Sequence, residues 1–144
     1  MVFDTSEVDR RIRKIALEVF PEFDPERWYS HFNLNGEFLV LGSLAGSFYG
    51  GHYSFIINRN NGISYNGDIE VCLTKRGKGY GRRLVEVREK ISLSFGAHLV
   101  IVNNNKNHFF WEKMGYHPLP TSVENLAKKF FVCYMPAYKL LSEA

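Results

Sequence analysis

The chain has 144 residues, 45% of them hydrophobic and 15% aromatic, which suits one globular domain over residues 1–144 with a sizeable core. A formal net charge of +3 is too small to mark a nucleic-acid protein by itself, so any anion site has to be local. No apolar run approaches the roughly 20 residues that a membrane span needs, and neither export nor anchoring is expected. The two cysteines, Cys72 and Cys133, fall in apolar strand-like runs and suit the reduced core of a cytoplasmic protein.

From the start of the chain, Val8, Ile12, Ile15, Ala16 and Val19 recur at helical spacing. Asp4 and Glu7 form an N-terminal capping pattern, and Pro21 ends the helix. Asp24-Pro25-Glu26 signals a second, short helix through Phe32. The basic residues 10–14 read as a solvated helix face or as a binding patch. From Glu37 the texture changes to strands at 38–41, 48–58 and 63–73, separated by Gly42, Gly46 and the turn Asn60-Asn61-Gly62. They read as an antiparallel meander with a bulge or bend at Asn66-Gly67.

Further along, Tyr80, Leu84, Val87, Ile91 and Phe95 share one helical face, and Gly96 supplies the stop. Residues 98–102 read as a buried strand, 105–114 as a short aromatic helix stopped at Gly115, and 130–137 as a final strand. An exposed final strand would be open to pairing with a second copy, as a homodimer.

The most informative stretch is T-K-R-G-K-G-Y-G-R-R at residues 74–83, between the apolar run 69–73 and the helix that follows. Glycines alternate at Gly77, Gly79 and Gly81, so the backbone can approach a ligand while the helix-start N–H groups point outward. Lys75, Arg76, Lys78, Arg82 and Arg83 make the local field strongly positive. A nucleotide P-loop is excluded, because Gly77-Lys78 is followed by glycine and not by a hydroxyl residue. A dinucleotide fingerprint is disfavoured by the spacing after Gly81 and by the lack of an acid near Ile101.

What remains is R-x-x-G-x-G over residues 76–81, after a strand and opening a helix. Here the chain resembles the GNAT superfamily of N-acetyltransferases, over residues 38–138. The run I-E-V-C-L-T-K-R-G-K-G-Y-G-R-R-L matches one family pattern, and Asn104, Phe110, Trp111, Gly115 and Tyr116 match part of a second. The resemblance implies an α/β (α+β) fold with a mixed, mostly antiparallel central sheet flanked by helices. The family's opening strand would be short or absent, since only Met1 to Phe3 precede the first helix.

It also implies acetyl-CoA, or another acyl-CoA, as co-substrate and no metal. Arg76, Gly77, Lys78, Gly79, Tyr80, Gly81 and Arg82 would hold the diphosphate. The backbone of Ile69, Glu70 and Val71 would bond the pantetheine arm, with Asn104 and Phe110 nearby. The acceptor would be a primary amine of a small molecule, a peptide or an aminoacyl-tRNA, attacking the thioester directly.

The family's tyrosine acid falls on Trp111, and an indole cannot deliver a proton to a thiolate. Tyr116 is a further candidate acid, although it reads more readily as core, and Tyr134 and Tyr138 on the last strand are others. Glu70 or Asp68 would take the amine proton if their strand face lines the acceptor cleft; the alternative is a solvent-facing strand carboxylate. His98, His108 and His117 lack metal-ligand spacing. A catalytically silent acyl-CoA-binding module and a nucleic-acid-binding protein are the competing readings.

Overall fold

The computed structural model describes residues 5–21, 28–35, 38–46, 55–58, 61–66, 79–103, 108–120 and 136–142. Helix α1 spans Thr5–Val19 and buries Val8, Ile12, Ile15, Ala16 and Val19, the apolar stripe expected from the spacing. The expected short helix through Phe32 is instead a strand, β1, over Trp28–Asn35. The aromatic-rich W-Y-S-H-F-N-L-N is a good strand former, and eight residues of antiparallel pairing with β2 override the local helix-start signal. Strand β2 covers Phe38–Gly46, running through both glycines that were expected to interrupt it. Register shifts between His31 and Phe32, where the ladder is irregular.

Strands β3 at Phe55–Asn58 and β4 at Ile63–Asn66 complete the antiparallel meander. Their turn carries Gly62 at φ 72°, with the Gly62 amide on the Asn58 carbonyl at 3.0 Å. Asn61 Oδ1 accepts the Ile63 amide at 3.1 Å, a local side-chain bond that holds the turn. The sheet order is β1-β2-β3-β4-β5-β7-β6, with β5 at Leu99–Asn103, β6 at His117–Pro118 and β7 at Pro136–Leu140. Among the described strands only the β4–β5 pair is parallel. In the sheet order β7 lies between β5 and the two-residue β6, which pairs only with Ala137 and Tyr138 of the final strand.

Helix α2 spans Tyr80–Ser94 and returns from β4 to β5, as a parallel pair demands of its crossover. It buries Leu84, Val85, Val87, Arg88, Ile91 and Ser92, far more than one stripe, because it is wedged between α1, the sheet and α3 at His108–Lys113. Val85 packs with Val100, Val102, Trp111, Tyr116 and Ala137 on one side of the sheet. Tyr65 and Ile101 form a second cluster on the other side, joined by Ile63, Leu99, Leu119 and Tyr138.

The helices end in well-defined caps. After α2, Gly96 adopts φ 91°, its amide bonds the Leu93 carbonyl at 3.0 Å and the Ala97 amide bonds the Ser92 carbonyl at 2.8 Å. Gly115 repeats the arrangement after α3, with bonds to Glu112 and Trp111. Both are left-handed C-terminal stops of the Schellman kind.

Arginines close the carbonyls that remain. Neither α1 nor α2 carries a base in its last turn, and each receives one from the other helix. Arg83 in α2 donates to the Val19 carbonyl through Nε at 3.3 Å and Nη2 at 2.8 Å, and Arg11 in α1 donates to the Ser94 carbonyl at 2.9 Å. Each guanidinium lies over the phenylalanine that follows the capped helix, Phe20 at 4.1 Å and Phe95 at 5.4 Å. Within the basic run, Arg10 and Arg11 also pair with Glu7, and Arg13 with Asp9 at 2.8 Å.

A Cβ on Gly62 would sit 3.3 Å from the Gly96 carbonyl as well as at positive φ. Gly62→Ala is therefore expected to cost about 2 kcal/mol in urea unfolding, and Gly96→Ala, which meets only the conformational penalty, about 1 kcal/mol.

Candidate functional site

Parallel pairing puts the carboxyl ends of β4 and β5 at the same edge of the sheet, at Asn66 and Val102. The crossover brings the N-terminus of α2 back toward that edge, where open α/β sheets place their ligands. The cap of α2 is Gly79 at φ 80° and ψ 9°, with no side-chain cap hydrogen bond. The intrahelical ladder begins with the Arg83 amide on the Gly79 carbonyl at 3.2 Å. The amides of residues 80–82 precede it and have no intrahelical acceptor. Among the described residues nothing lies within 4 Å of a Cβ built on Gly79. The left-handed backbone, and not crowding, is what calls for glycine there.

The two arginines of this first turn divide. Arg82 is exposed, and among the described residues it makes no hydrogen bond or ion pair. Arg83 is half-buried and committed to the α1 carbonyl, which removes it from the residues expected to reach a phosphate. Arg76, Gly77 and Lys78 lie outside the described residues. So do Asp68, Ile69, Glu70, Val71 and Asn104. Tyr80 and Gly81 are the first two residues of α2.

Below the edge runs a buried polar chain. Ser92 Oγ donates to Ser64 Oγ at 3.0 Å, and Ser64 Oγ donates to Asn66 Oδ1 at 2.8 Å. All three side chains are fully buried. The Asn66 Nδ2 has no hydrogen-bond partner among the described residues.

The second group of expected residues is built around α3. Trp111 is 5% exposed, edge-on to Phe110 at 5.1 Å and to Tyr116 at 5.0 Å. Its indole is a core side chain beneath β5 and α2, and the Arg88 guanidinium lies 5.7 Å from its ring centre. Phe110 packs against the same cluster and is half-buried.

Tyr116 is 2% exposed, and its hydroxyl donates to Glu89 Oε2 at 2.9 Å. Lys139 Nζ donates to Glu89 Oε1 at 3.0 Å and to the Met114 carbonyl at 2.9 Å. Burial pushes the Tyr116 phenol well above its ordinary value, the Glu89 charge adds to this, and Arg88 only partly offsets it. A phenol so placed is a poor proton donor and already has an acceptor, which fits the core reading of Tyr116 better than the acid reading.

Three buried or half-buried charged groups, Arg88, Glu89 and Lys139, were not singled out in the sequence. The spacing Glu89 to Lys139 leaves no local signal. Arg88 sits one turn after Leu84 and three before Ile91, and that position could have marked it as inward-facing.

The histidines are scattered. His98 lies at the opposite, amino end of β5, its amide on the Gly62 carbonyl at 2.8 Å. His117 is exposed on β6 with its ring 5.9 Å from that of Tyr138. Among the described residues no three His, Cys, Asp or Glu side chains gather as metal ligands, and no helix is long and apolar enough to cross a membrane.

Residues 5–116 match the acetyltransferase (GNAT) family. The fold is similar to that of an acetyltransferase of the GNAT family from Staphylococcus aureus, at 14% identity and TM-score 0.55, over 99% of this chain and 98% of that one. It is also similar to Tetrahymena GCN5, at 12% identity and TM-score 0.53, over 98% and 91%. N-acetylglutamate synthase from Neisseria gonorrhoeae, solved with coenzyme A and N-acetyl-glutamate, aligns at 13% identity and TM-score 0.54 over 99% of this chain. This chain spans about a third of that enzyme, 34% of its length. No curated protein matches the chain significantly.

The cluster around Glu89 predicts a pH signature. Because the Tyr116 phenol is raised in the folded state, its share of stability is present below pH 10.0 and is lost as pH rises above that unfolded value. Tyr116→Phe is expected to lower stability near neutrality by about 1 kcal/mol and to flatten the alkaline limb, as read by urea unfolding from pH 7 to about 11.

Proposed function

Since the chain belongs to the acetyltransferase (GNAT) family, we propose that it is an acyl-CoA-dependent N-acetyltransferase, moving an acetyl group from acetyl-CoA to a primary amine by direct attack. The observation that carries this reading is the α2 N-terminus. A glycine in the left-handed region and an exposed Arg82 stand at the helix end on the carboxyl side of the only parallel pair among the described strands. Amides without intrahelical acceptors, the positive helix end and a free guanidinium together favour a diphosphate. The coenzyme A bound to the N. gonorrhoeae enzyme is consistent with the donor class.

The residues proposed for the donor are Arg76, Gly77, Lys78, Gly79, Tyr80, Gly81 and Arg82 for the diphosphate. The backbone of residues 69–71, with Asn104 and Phe110, is proposed for the arm. Asp68 or Glu70 is the proposed base. In the reaction the amine nitrogen, once deprotonated, bonds to the thioester carbonyl carbon. The zwitterionic tetrahedral intermediate loses a proton from its nitrogen and expels the coenzyme A thiolate, which takes up a proton, and an amide is formed.

Trp111 is unsuited to supply that last proton, being core and an N–H donor only. Loss of a positioned acid costs about 10²- to 10⁴-fold and does not forbid transfer. The same observation favours a second reading, a module that binds acyl-CoA and turns it over slowly or not at all.

Incubation with acetyl-CoA and a panel of amines, followed by free-thiol release, separates the two. Turnover with at least one amine is expected. Tight coenzyme A binding with no thiol release supports the silent module, and absence of binding rejects both. Arg82→Ala is expected to weaken coenzyme A binding by about tenfold in calorimetry, with a loss that shrinks at high salt.

A further inference from the structure

The two arginines that join α1 to α2 are alike in chemistry and unlike in place. Arg11 reaches Ser94, the last residue of α2, at the end remote from Gly79. Arg83 leaves the first turn of α2, four residues after Gly79, and reaches Val19, the last residue of α1. Two donors on one carbonyl and the fully buried Phe20 ring at 4.1 Å leave that guanidinium little freedom.

A cation in the first turn of a helix opposes the positive end of its own dipole. Arg83 answers this by lying at the negative end of α1, so its charge is satisfied across the helix pair. Arg82, one residue earlier and a hundred degrees around the helix, is left exposed.

We propose that Arg83 is a positioning residue for acyl-CoA. It pins the first turn of α2 to the C-terminus of α1, so the amides of residues 80–82 and the Arg82 guanidinium meet the diphosphate already in place. The inference rests on the acyl-CoA reading above. It adds that donor affinity depends on how α1 is docked against the first turn of α2. A site held in place before binding loses less on ordering, and the benefit is felt in affinity.

Arg11 is the internal control, because it makes the same kind of carbonyl cap and ring contact at the far end of the same helix pair. Coenzyme A binding is measured by calorimetry, and KM for acetyl-CoA alongside kcat, for the wild type, Arg83→Gln and Arg11→Gln, with urea unfolding of each. Arg83→Gln is expected to raise Kd and KM by about tenfold while kcat stays within about twofold. Arg11→Gln is expected to lose comparable stability and keep Kd within about twofold.

If both variants weaken binding alike, the role is only structural and the proposal is overturned; if Arg83→Gln binds as the wild type does, it is overturned too. Should Arg83→Gln not fold, Arg83→Lys keeps the charge and one donor and is expected to weaken binding about threefold, and an unchanged Kd rejects the proposal. A wild type that binds no coenzyme A rejects the acyl-CoA reading and this inference with it. A wild type that binds beside an unaffected Arg83→Gln rejects the inference alone.

Discussion

Everything described in this molecule follows from the parallel register of β4 against β5. Two parallel strands cannot be joined by a tight turn, so the chain has to cross the sheet and return, and α2 is that return. The crossover determines the direction of the helix: its N-terminus stands at the carboxyl ends of the strands and its C-terminus at their amino ends. The electrostatic sense of the site, positive at the open edge, is therefore a consequence of topology and not of the modest net charge.

The treatment of helix ends sharpens that contrast. The C-terminus of α2 is closed by Gly96 and by Arg11, and that of α1 receives Arg83. The carbonyl of Met114, after α3, receives Lys139, which Glu89 holds in place. By comparison, the N-terminus of α2 opens on a glycine that offers no side-chain oxygen. Beside these closed C-termini, an N-terminus that opens on glycine is a donor set suited to an anion. The same closures weaken the nucleic-acid reading, since Arg10, Arg11 and Arg13 are paired with Glu7 and Asp9.

The chemistry of the aromatic segment is governed by packing. Trp111 and Tyr116 are in edge contact inside the cluster that joins α2, β5 and β7, and the Tyr116 hydroxyl serves Glu89. Their value to the fold competes with any value as acids, because a phenol lifted by burial and engaged as a donor holds its proton. In the proposed reaction, proton delivery to a departing thiolate would then fall to another group or to solvent.

Periodicity and stop signals carried much of the architecture. The stripe of α1, the face of α2, Gly96 and Gly115 as stops, and the Asn61-Gly62 turn were all legible, because each depends on residues within about one turn of helix or one hairpin. The family pattern was legible for the same reason. Three things were not. Residues 28–32 carry a helix-start signal just upstream and yet form a strand, since the pairing partner that decides the matter is β2. Arg82 and Arg83 are adjacent and identical in type; only the place of Val19, 64 residues away, separates the exposed cation from the committed one. Glu89, Tyr116 and Lys139 come together across 50 residues. By itself the sequence determined where α1, α2 and α3 lie and where α2 and α3 stop, because those are local choices of the backbone. The tertiary structure alone decided which charges are left over for a ligand, because a side chain's partners are set by what the fold brings within 3 Å of it, roughly one hydrogen bond's length.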